Sequence, residues 1–103
     1  MAGRVRTSMR SAMSEHLLDD AAHLIVWAVR RAIDFDDPTE LAEGPGWLAR
    51  RLAGKPLGAD VVRVALREAV RVLEDDDEYA RALTLAARFA ADTEALLRRT
   101  AAA

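Results

Sequence analysis

The chain has 103 residues, a formal net charge of −2 and 51% hydrophobic residues, which is the size and balance of one compact domain. It contains no cysteine, so disulfide scaffolds, cysteine-ligated zinc and thiol nucleophiles are excluded. Alanine is abundant and aromatic residues make up only 5% of the chain, a composition that favours helix packed on helix over a β-sheet.

The N-terminal segment, residues 1–13, is basic: it carries Arg4, Arg6 and Arg10 and no acidic residue. No apolar stretch follows it, because acidic residues begin at Glu15, so the pattern does not match a secretory signal. We predict a disordered basic arm over residues 1–13; an organelle transit peptide has the same composition and is the alternative. No stretch reaches the roughly 20 apolar residues of a membrane span. We therefore expect a cytoplasmic protein with no membrane partner.

The first predicted helix begins at Ser14, a residue type that caps helix N-termini, and ends near Phe35. The sequence Asp-Asp-Pro at positions 36–38 ends it, because the residue before a proline avoids the helical region. Its apolar residues follow the spacing of one helix face. These residues are Leu17, Leu18, Ala21, Leu24, Ile25, Ala28, Val29 and Ala32.

The second predicted element is short and broken. Thr39 is positioned to cap it, and Gly44, Pro45 and Gly46 interrupt it, because glycine and proline are poor residues for a helix interior. Residues 47–53 re-form about two turns before Gly54 ends the helix.

The third predicted helix runs from about Asp60 to about Glu74, and an acidic run at 75–78 then suits the N-terminus of a fourth helix. The fourth is predicted to bury Tyr79, Leu83, Ala86, Ala87, Ala90 and Leu97. Short connections favour antiparallel neighbours. The predicted fold is therefore all-α, a small three- or four-helix bundle formed by a single domain over residues 14–100.

Both histidines lie on the first helix. His16, Asp20 and His23 are spaced four and three residues apart, so they share one face within two turns. Imidazole and carboxylate side chains on one face can form half of a divalent-metal site, which a facing helix would complete. A solvated polar stripe is the alternative for these residues.

Arg63, Arg67 and Arg71 are four residues apart and form a straight basic ridge along the third helix. We call these three residues the arginine ridge. Either the ridge binds a protein partner, or it is a solvated face that pairs with neighbouring carboxylates. If the ridge binds a protein, we expect Arg63, Arg67 and Arg71 to contact that partner.

Residues 48–71 have the order helix, glycine-containing turn, helix, and the second helix contains Val-Arg-Val-Ala-Leu-Arg at 62–67. This stretch is similar to the helix-turn-helix of bacterial repressors, whose second helix enters the major groove of DNA. The resemblance implies a DNA-binding regulator as an alternative function. The DNA-contacting residues would then be Arg50, Arg51, Lys55, Arg63 and Arg67.

Two tryptophans complete the candidate residues. Trp27 interrupts the polar side of the first helix, where it follows the histidine face, so we predict that it is a partner-binding residue. Trp47 follows the Gly-Pro-Gly sequence, and we predict that it covers the core.

No arrangement of nucleophile and base, glycine-rich phosphate loop or acid pair is evident, so we expect no enzyme activity and no cofactor. The leading hypothesis is a small bacterial interaction module that binds a protein partner or itself, most simply as a homodimer. Charge supports docking, because residues 14–43 are strongly acidic and residues 44–73 are basic. The alternatives are the DNA-binding regulator and a metal-binding helical bundle.

Overall fold

The computed structural model describes residues 2–102, with side chains for residues 16–100. This part of the chain forms four helices and no strand, which confirms the all-α prediction. The helices are α1 (Ala2–Asp34), α2 (Thr39–Leu52), α3 (Gly58–Leu73) and α4 (Tyr79–Ala102). None of the helices, over the described residues, is long and apolar enough to cross a membrane.

The helices alternate in direction, as two ion pairs between them show. Arg51 near the end of α2 lies 3.8 Å from Asp20 of α1, and Arg63 near the start of α3 lies 3.2 Å from Glu94 in the second half of α4. Helices α1 and α4 pack against each other and against both remaining helices, whereas α2 and α3 hardly touch. Consequently α2 and α3 lie on opposite sides of the α1–α4 pair.

The core is aliphatic and rich in alanine, which lets the helix backbones approach closely. Phe89 of α4 is the largest fully buried side chain. Thr93, one turn later, is also buried, and its hydroxyl donates a hydrogen bond to the Phe89 carbonyl at 2.9 Å, so its burial leaves no hydroxyl unsatisfied. The other core residues include Ala21, Ile25, Ala28, Val29, Leu48, Leu52, Val62, Ala65, Ala69, Leu73, Ala82, Ala86 and Ala90.

The ends of α1 agree only in part with the sequence prediction. Its C-terminal end at Asp34 is confirmed, and its apolar face is buried as predicted. Asp36, just beyond the end, has a φ of 52°, a left-handed conformation that aspartate tolerates better than most residues. The start differs, because α1 begins at Ala2 and not at Ser14. The side chains of the predicted basic arm lie outside the described ones, so its role stays a prediction.

Helix α2 is continuous, and the prediction of a short, broken element is wrong. Gly44 and Pro45 are buried, and the ring of Phe89 fills the space where a side chain on Gly44 would lie. Packing against α4 therefore outweighs the loss of one backbone hydrogen bond at Pro45. Gly54, with a φ of 79°, follows the end of α2 as predicted.

The cap of α2 also differs from the prediction. Thr39 is the first residue of the helix and not its cap, and the residue before it, Pro38, makes no side-chain capping bond. The backbone N–H of Thr39 instead donates to Oδ1 of Asp37 at 3.1 Å. The carboxylate of Asp37, and not the side chain of Thr39, therefore accepts the hydrogen bond at the start of α2.

Helix α4 starts at Tyr79 as predicted, but its buried stripe is rotated. Leu83 and Ala87, which were predicted to be buried, are exposed. Alanine is common on both sides of this helix and gives little contrast between its faces, which explains the error. The stripe that is buried consists of Ala82, Ala86, Phe89, Ala90 and Thr93.

Candidate interaction surface

A groove of about 860 Å³ lies between α1 and α2. We call it the tryptophan groove, because one tryptophan from each helix lines it. Its lining contains apolar rings and charged side chains of both signs. The lining includes Asp20, His23, Trp27 and Arg30 of α1 and Glu40, Glu43, Trp47, Arg50 and Arg51 of α2.

Both tryptophans are large apolar side chains left half-exposed. Trp27 is 54% exposed, in agreement with its predicted place on the polar side of α1. Trp47 is 42% exposed, so the prediction that it covers the core is wrong. The reason is that α2 continues past Pro45: two residues further along a helix, Trp47 points away from the buried side.

Arginine side chains lie over the aromatic rings. The guanidinium of Arg51 is 5.2 Å from the ring centre of Trp47. The guanidinium of Arg31 is 5.3 Å from the ring centre of Trp27 and 5.5 Å from that of Phe35, the residue that follows the end of α1. Such cation–π contacts contribute about 0.5–1 kcal/mol at exposed sites, and they hold each indole in place before any partner binds.

A hydrogen bond links the α1–α2 connection to Arg31, the arginine that lies over Trp27. Arg31 Nη2 donates to Oδ2 of Asp37 at 3.1 Å, while Oδ1 accepts from Thr39. The pKa of Asp37 lies below its ordinary value of 3.8, first because of the neighbouring Thr39 hydroxyl and N–H, and then because of the Arg31 guanidinium. Asp37 therefore favours the charged form and anchors the arginine that lies over Trp27.

The three predicted metal ligands are not gathered into a metal site. Asp20 and His23 line the tryptophan groove, and His16 lies nearly two turns before His23 on α1. Nδ1 of His23 donates to the carbonyl oxygen of Asp19 at 2.8 Å, and Asp20 pairs with Arg51. No group of three or more metal-binding side chains occurs among the residues whose side chains are described.

The arginine ridge lies on the exposed side of α3, away from the tryptophan groove. Arg63 donates from Nε to Oε1 of Glu94 at 3.2 Å, and Arg71 lies 3.9 Å from Glu68 of its own helix. Arg67 is exposed between them. Two of the three ridge arginines thus already face a carboxylate of their own chain.

The residues predicted to contact DNA are divided between two places, although Lys55 and Arg63 line a common groove near the α2–α3 connection. Arg50 and Arg51 line the tryptophan groove, whereas Arg63 and Arg67 lie on α3, and Lys55 lies in the connection between the two helices. Because α2 and α3 hardly touch, they do not pack on one another as the two helices of a helix-turn-helix do. No structural observation favours the DNA-binding alternative.

A second groove, of about 530 Å³, lies on the other side of α2, facing α4. Leu41, Pro45 and the core ring of Phe89 line it, and Arg88 lies at its edge. None of the residues predicted from sequence to form a site lines this groove. The tryptophan groove is the stronger candidate, because it contains the two half-exposed indoles.

Sequence reasoning missed Glu43 and Trp47 as surface residues. They lie four residues apart in α2, and Arg50 follows three residues later, a spacing that places all three near one helix face. This helical spacing was missed because Gly44-Pro45-Gly46 was interpreted as a break in the helix. The structure thus joins in one groove some of the residues that sequence reasoning divided among metal, DNA and protein binding, namely Asp20, His23, Trp27, Arg50 and Arg51. Compared with known proteins, the chain matches no family model, no curated protein and no solved structure.

Proposed function

We propose that this chain is a non-enzymatic protein-association module and that the tryptophan groove is its binding surface. The observation that carries the proposal is the pair of half-exposed indoles, Trp27 and Trp47, on two helices that line one groove. Tryptophan is enriched among the residues that dominate binding energy, because it buries a large apolar area and fixes few torsions. A protein partner would cover both rings.

The charged residues around the indoles support a protein partner over a nucleic acid. Three arginines and three acidic residues line the groove, so its charge is close to balanced, whereas a phosphate backbone calls for a basic surface. Mixed charges around an apolar centre are the usual anatomy of a protein interface. In this proposal the four helices act as one bundle in the cytoplasm, and the bundle keeps α1 and α2 at a fixed separation.

Site-specific photo-crosslinking tests this proposal. A photoreactive benzoylphenylalanine replaces Trp27 or Trp47 in separate variants of the full chain, and each variant is irradiated both pure and in an extract of the organism that makes it. The matched control carries the same residue in place of Val72, which is 50% exposed on α3. We expect protein adducts from positions 27 and 47 and far fewer from position 72.

Two outcomes would contradict the proposed function. One is the absence of any protein adduct from positions 27 and 47 in both samples. The other is an equal yield from position 72, which would show that the groove has no preference over another exposed apolar position. The mass of an adduct is a separate result, because it distinguishes a second copy from a different protein.

A further inference from the structure

The exposed side of α2 is free of the core along its whole length. Its buried residues fall on one side, and Glu43, Gly46 and Arg50 lie in a line on the other, with Trp47 beside them. A side chain on Gly46 would meet nothing closer than Nη1 of Arg50 at 4.0 Å. The backbone of α2 is therefore open to close approach at its middle.

The acidic and basic residues on this side of α2 occupy opposite halves of the helix. The acidic residues Glu40 and Glu43 lie in its first half, and the basic residues Arg50 and Arg51 lie in its second half. Within the part of the chain that has described side chains, neither Glu43 nor Arg50 takes part in an ion pair. Each thus lacks a partner that an identical helix running in the opposite direction would supply.

We propose that the partner in the tryptophan groove is a second copy of this chain, with the two α2 helices antiparallel. This inference rests on the proposed function. A two-fold axis between Gly46 and Trp47 brings Glu43 opposite Arg50 of the second copy, and the symmetry repeats that pair. The same axis brings Trp47 opposite Gly46 of the second copy, where the nearest side-chain atom is Nη1 of Arg50, 4.0 Å from the position of a Cβ.

Charge complementarity favours a second copy over an acidic or a basic partner. The groove carries as many acidic residues as arginines, so a strongly charged helix would meet repulsion at one end. An identical chain, rotated by the two-fold axis, presents an acidic end to each basic end. The indole of Trp47 in each copy is covered at the centre of the contact, where binding energy is usually concentrated.

Charge reversal tests this arrangement in the full chain. Glu43→Arg and Arg50→Glu are prepared separately, and dimer dissociation is measured by sedimentation equilibrium at low salt. Each variant alone should dissociate about tenfold more readily than the original chain, or more, because like charges then face each other twice. An equimolar mixture of the two variants should form a dimer again, since every like-charge contact becomes attractive. The doubly reversed chain should also dimerise.

A second variant separates dimer contact from folding. Gly46→Ala adds a methyl group in open space on a helix, so the monomer should resist urea at least as well as the original chain. The dimer should nevertheless dissociate more readily, because the indole of the second copy loses its place. The chain has two tryptophans, both in the groove, so a shift of their fluorescence with concentration reports the contact directly.

The inference is overturned if the original chain is monomeric at the highest concentration that remains in solution. It is also overturned if both single reversals dimerise as the original chain does, or if their mixture does not recover a dimer. Crosslinking at positions 27 and 47 distinguishes this failure from that of the proposed function. Adducts with a different protein would retain the tryptophan groove as a binding surface and exclude the second copy.

Discussion

The tryptophan groove and the arginine ridge both present arginines that pair with carboxylates of their own chain, and they differ in the apolar groups beside those arginines. In the groove, Arg51 lies over the half-exposed ring of Trp47. On the ridge, Arg63 and Arg71 each face a carboxylate of their own chain, and the exposed apolar residue between them is Val64, a small side chain at 37% exposure. The groove therefore offers aromatic area that a partner can cover, whereas the ridge offers only smaller aliphatic side chains beside its charges.

This difference teaches how to weigh a row of regularly spaced charges. Four-residue spacing places side chains in a line, but the spacing alone does not say whether those charges have partners within the fold. Exposed ion pairs on a helix surface contribute little to stability. Large apolar side chains that remain half-exposed beside unpaired charges, as at Trp47 and Glu43, are the better indication of a binding surface.

The largest effect that we expect separates the two surfaces directly. Trp47→Ala should weaken dimerisation about thirtyfold or more, the loss of at least about 2 kcal/mol that is usual for a central tryptophan. Val72→Ala on α3 is the matched control, and its dissociation constant should stay within about twofold of the original. Sedimentation equilibrium measures both. Equal effects from the two variants would remove the distinction between the groove and α3.

A second prediction compares the two sides of α2. Gly44→Ala should lower the free energy of unfolding by about 1–3 kcal/mol, because the new Cβ would lie 2.5 Å from the ring of Phe89. Gly46→Ala, with open space above it, should keep or raise stability by up to about 1 kcal/mol. Urea denaturation of monomeric protein measures both. The reverse order would contradict the continuous α2 helix that places these residues on opposite sides.

A third prediction concerns pH. The pKa of Asp37 in the folded chain lies below the ordinary value of 3.8, so the folded state holds its proton more weakly than the unfolded chain does. Its contribution is therefore present above about pH 3.8 and is lost as the pH falls through the lowered pKa. Asp37→Asn should lower the Tm at neutral pH and flatten the fall of the Tm in acid.

Thermal melts of the original chain and of Asp37→Asn from neutral to strongly acidic pH measure this contribution. Thr39→Ala removes the hydroxyl beside Asp37 and should give an intermediate slope. Parallel Tm curves for the original chain and Asp37→Asn would show that this carboxylate does not anchor the α1–α2 connection.

The smallest effects belong to the arginine ridge. Arg63→Ala removes an exposed ion pair and should cost no more than about 1 kcal/mol of stability, and Arg67→Ala should change it by less than about 0.5 kcal/mol. Neither variant should change dimerisation. A fluorescence titration with duplex DNA at low salt is the sharper comparison. Salt-dependent binding that is lost in both variants would make the ridge a functional surface after all.

The parts of the fold that the sequence predicts well are those with regular apolar spacing. The buried faces of α1 and α3 follow from residues such as Ile25 and Val62, which recur at helical intervals among charged residues. The end of α1 and the start of α4 follow from local signals, Pro38 and the acidic run 75–78. In both cases the information lies within a few residues of the feature.

The tryptophan groove depends instead on contacts between distant residues. Gly44 and Pro45 disfavour a helix locally. The helix is stabilised there because Gly44 packs against the ring of Phe89, which lies 45 residues further along the chain. Once α2 is continuous, Trp47 turns outward. The sequence thus suffices to select Trp27 as exposed, but not to place a second indole opposite it.

Pro45 also has a consequence for how firmly the two halves of α2 are held. A proline donates no backbone hydrogen bond, so the helix lacks the bond that would join position 45 to the carbonyl of Leu41. The turn before this gap is therefore joined to the rest of the helix by one backbone hydrogen bond fewer, and its Leu41 is only partly buried, whereas Leu48 and Leu52 anchor residues 48–52 in the core. Glu40 and Glu43 belong to that turn. The acidic end of α2 is therefore held by fewer helix hydrogen bonds than its basic end.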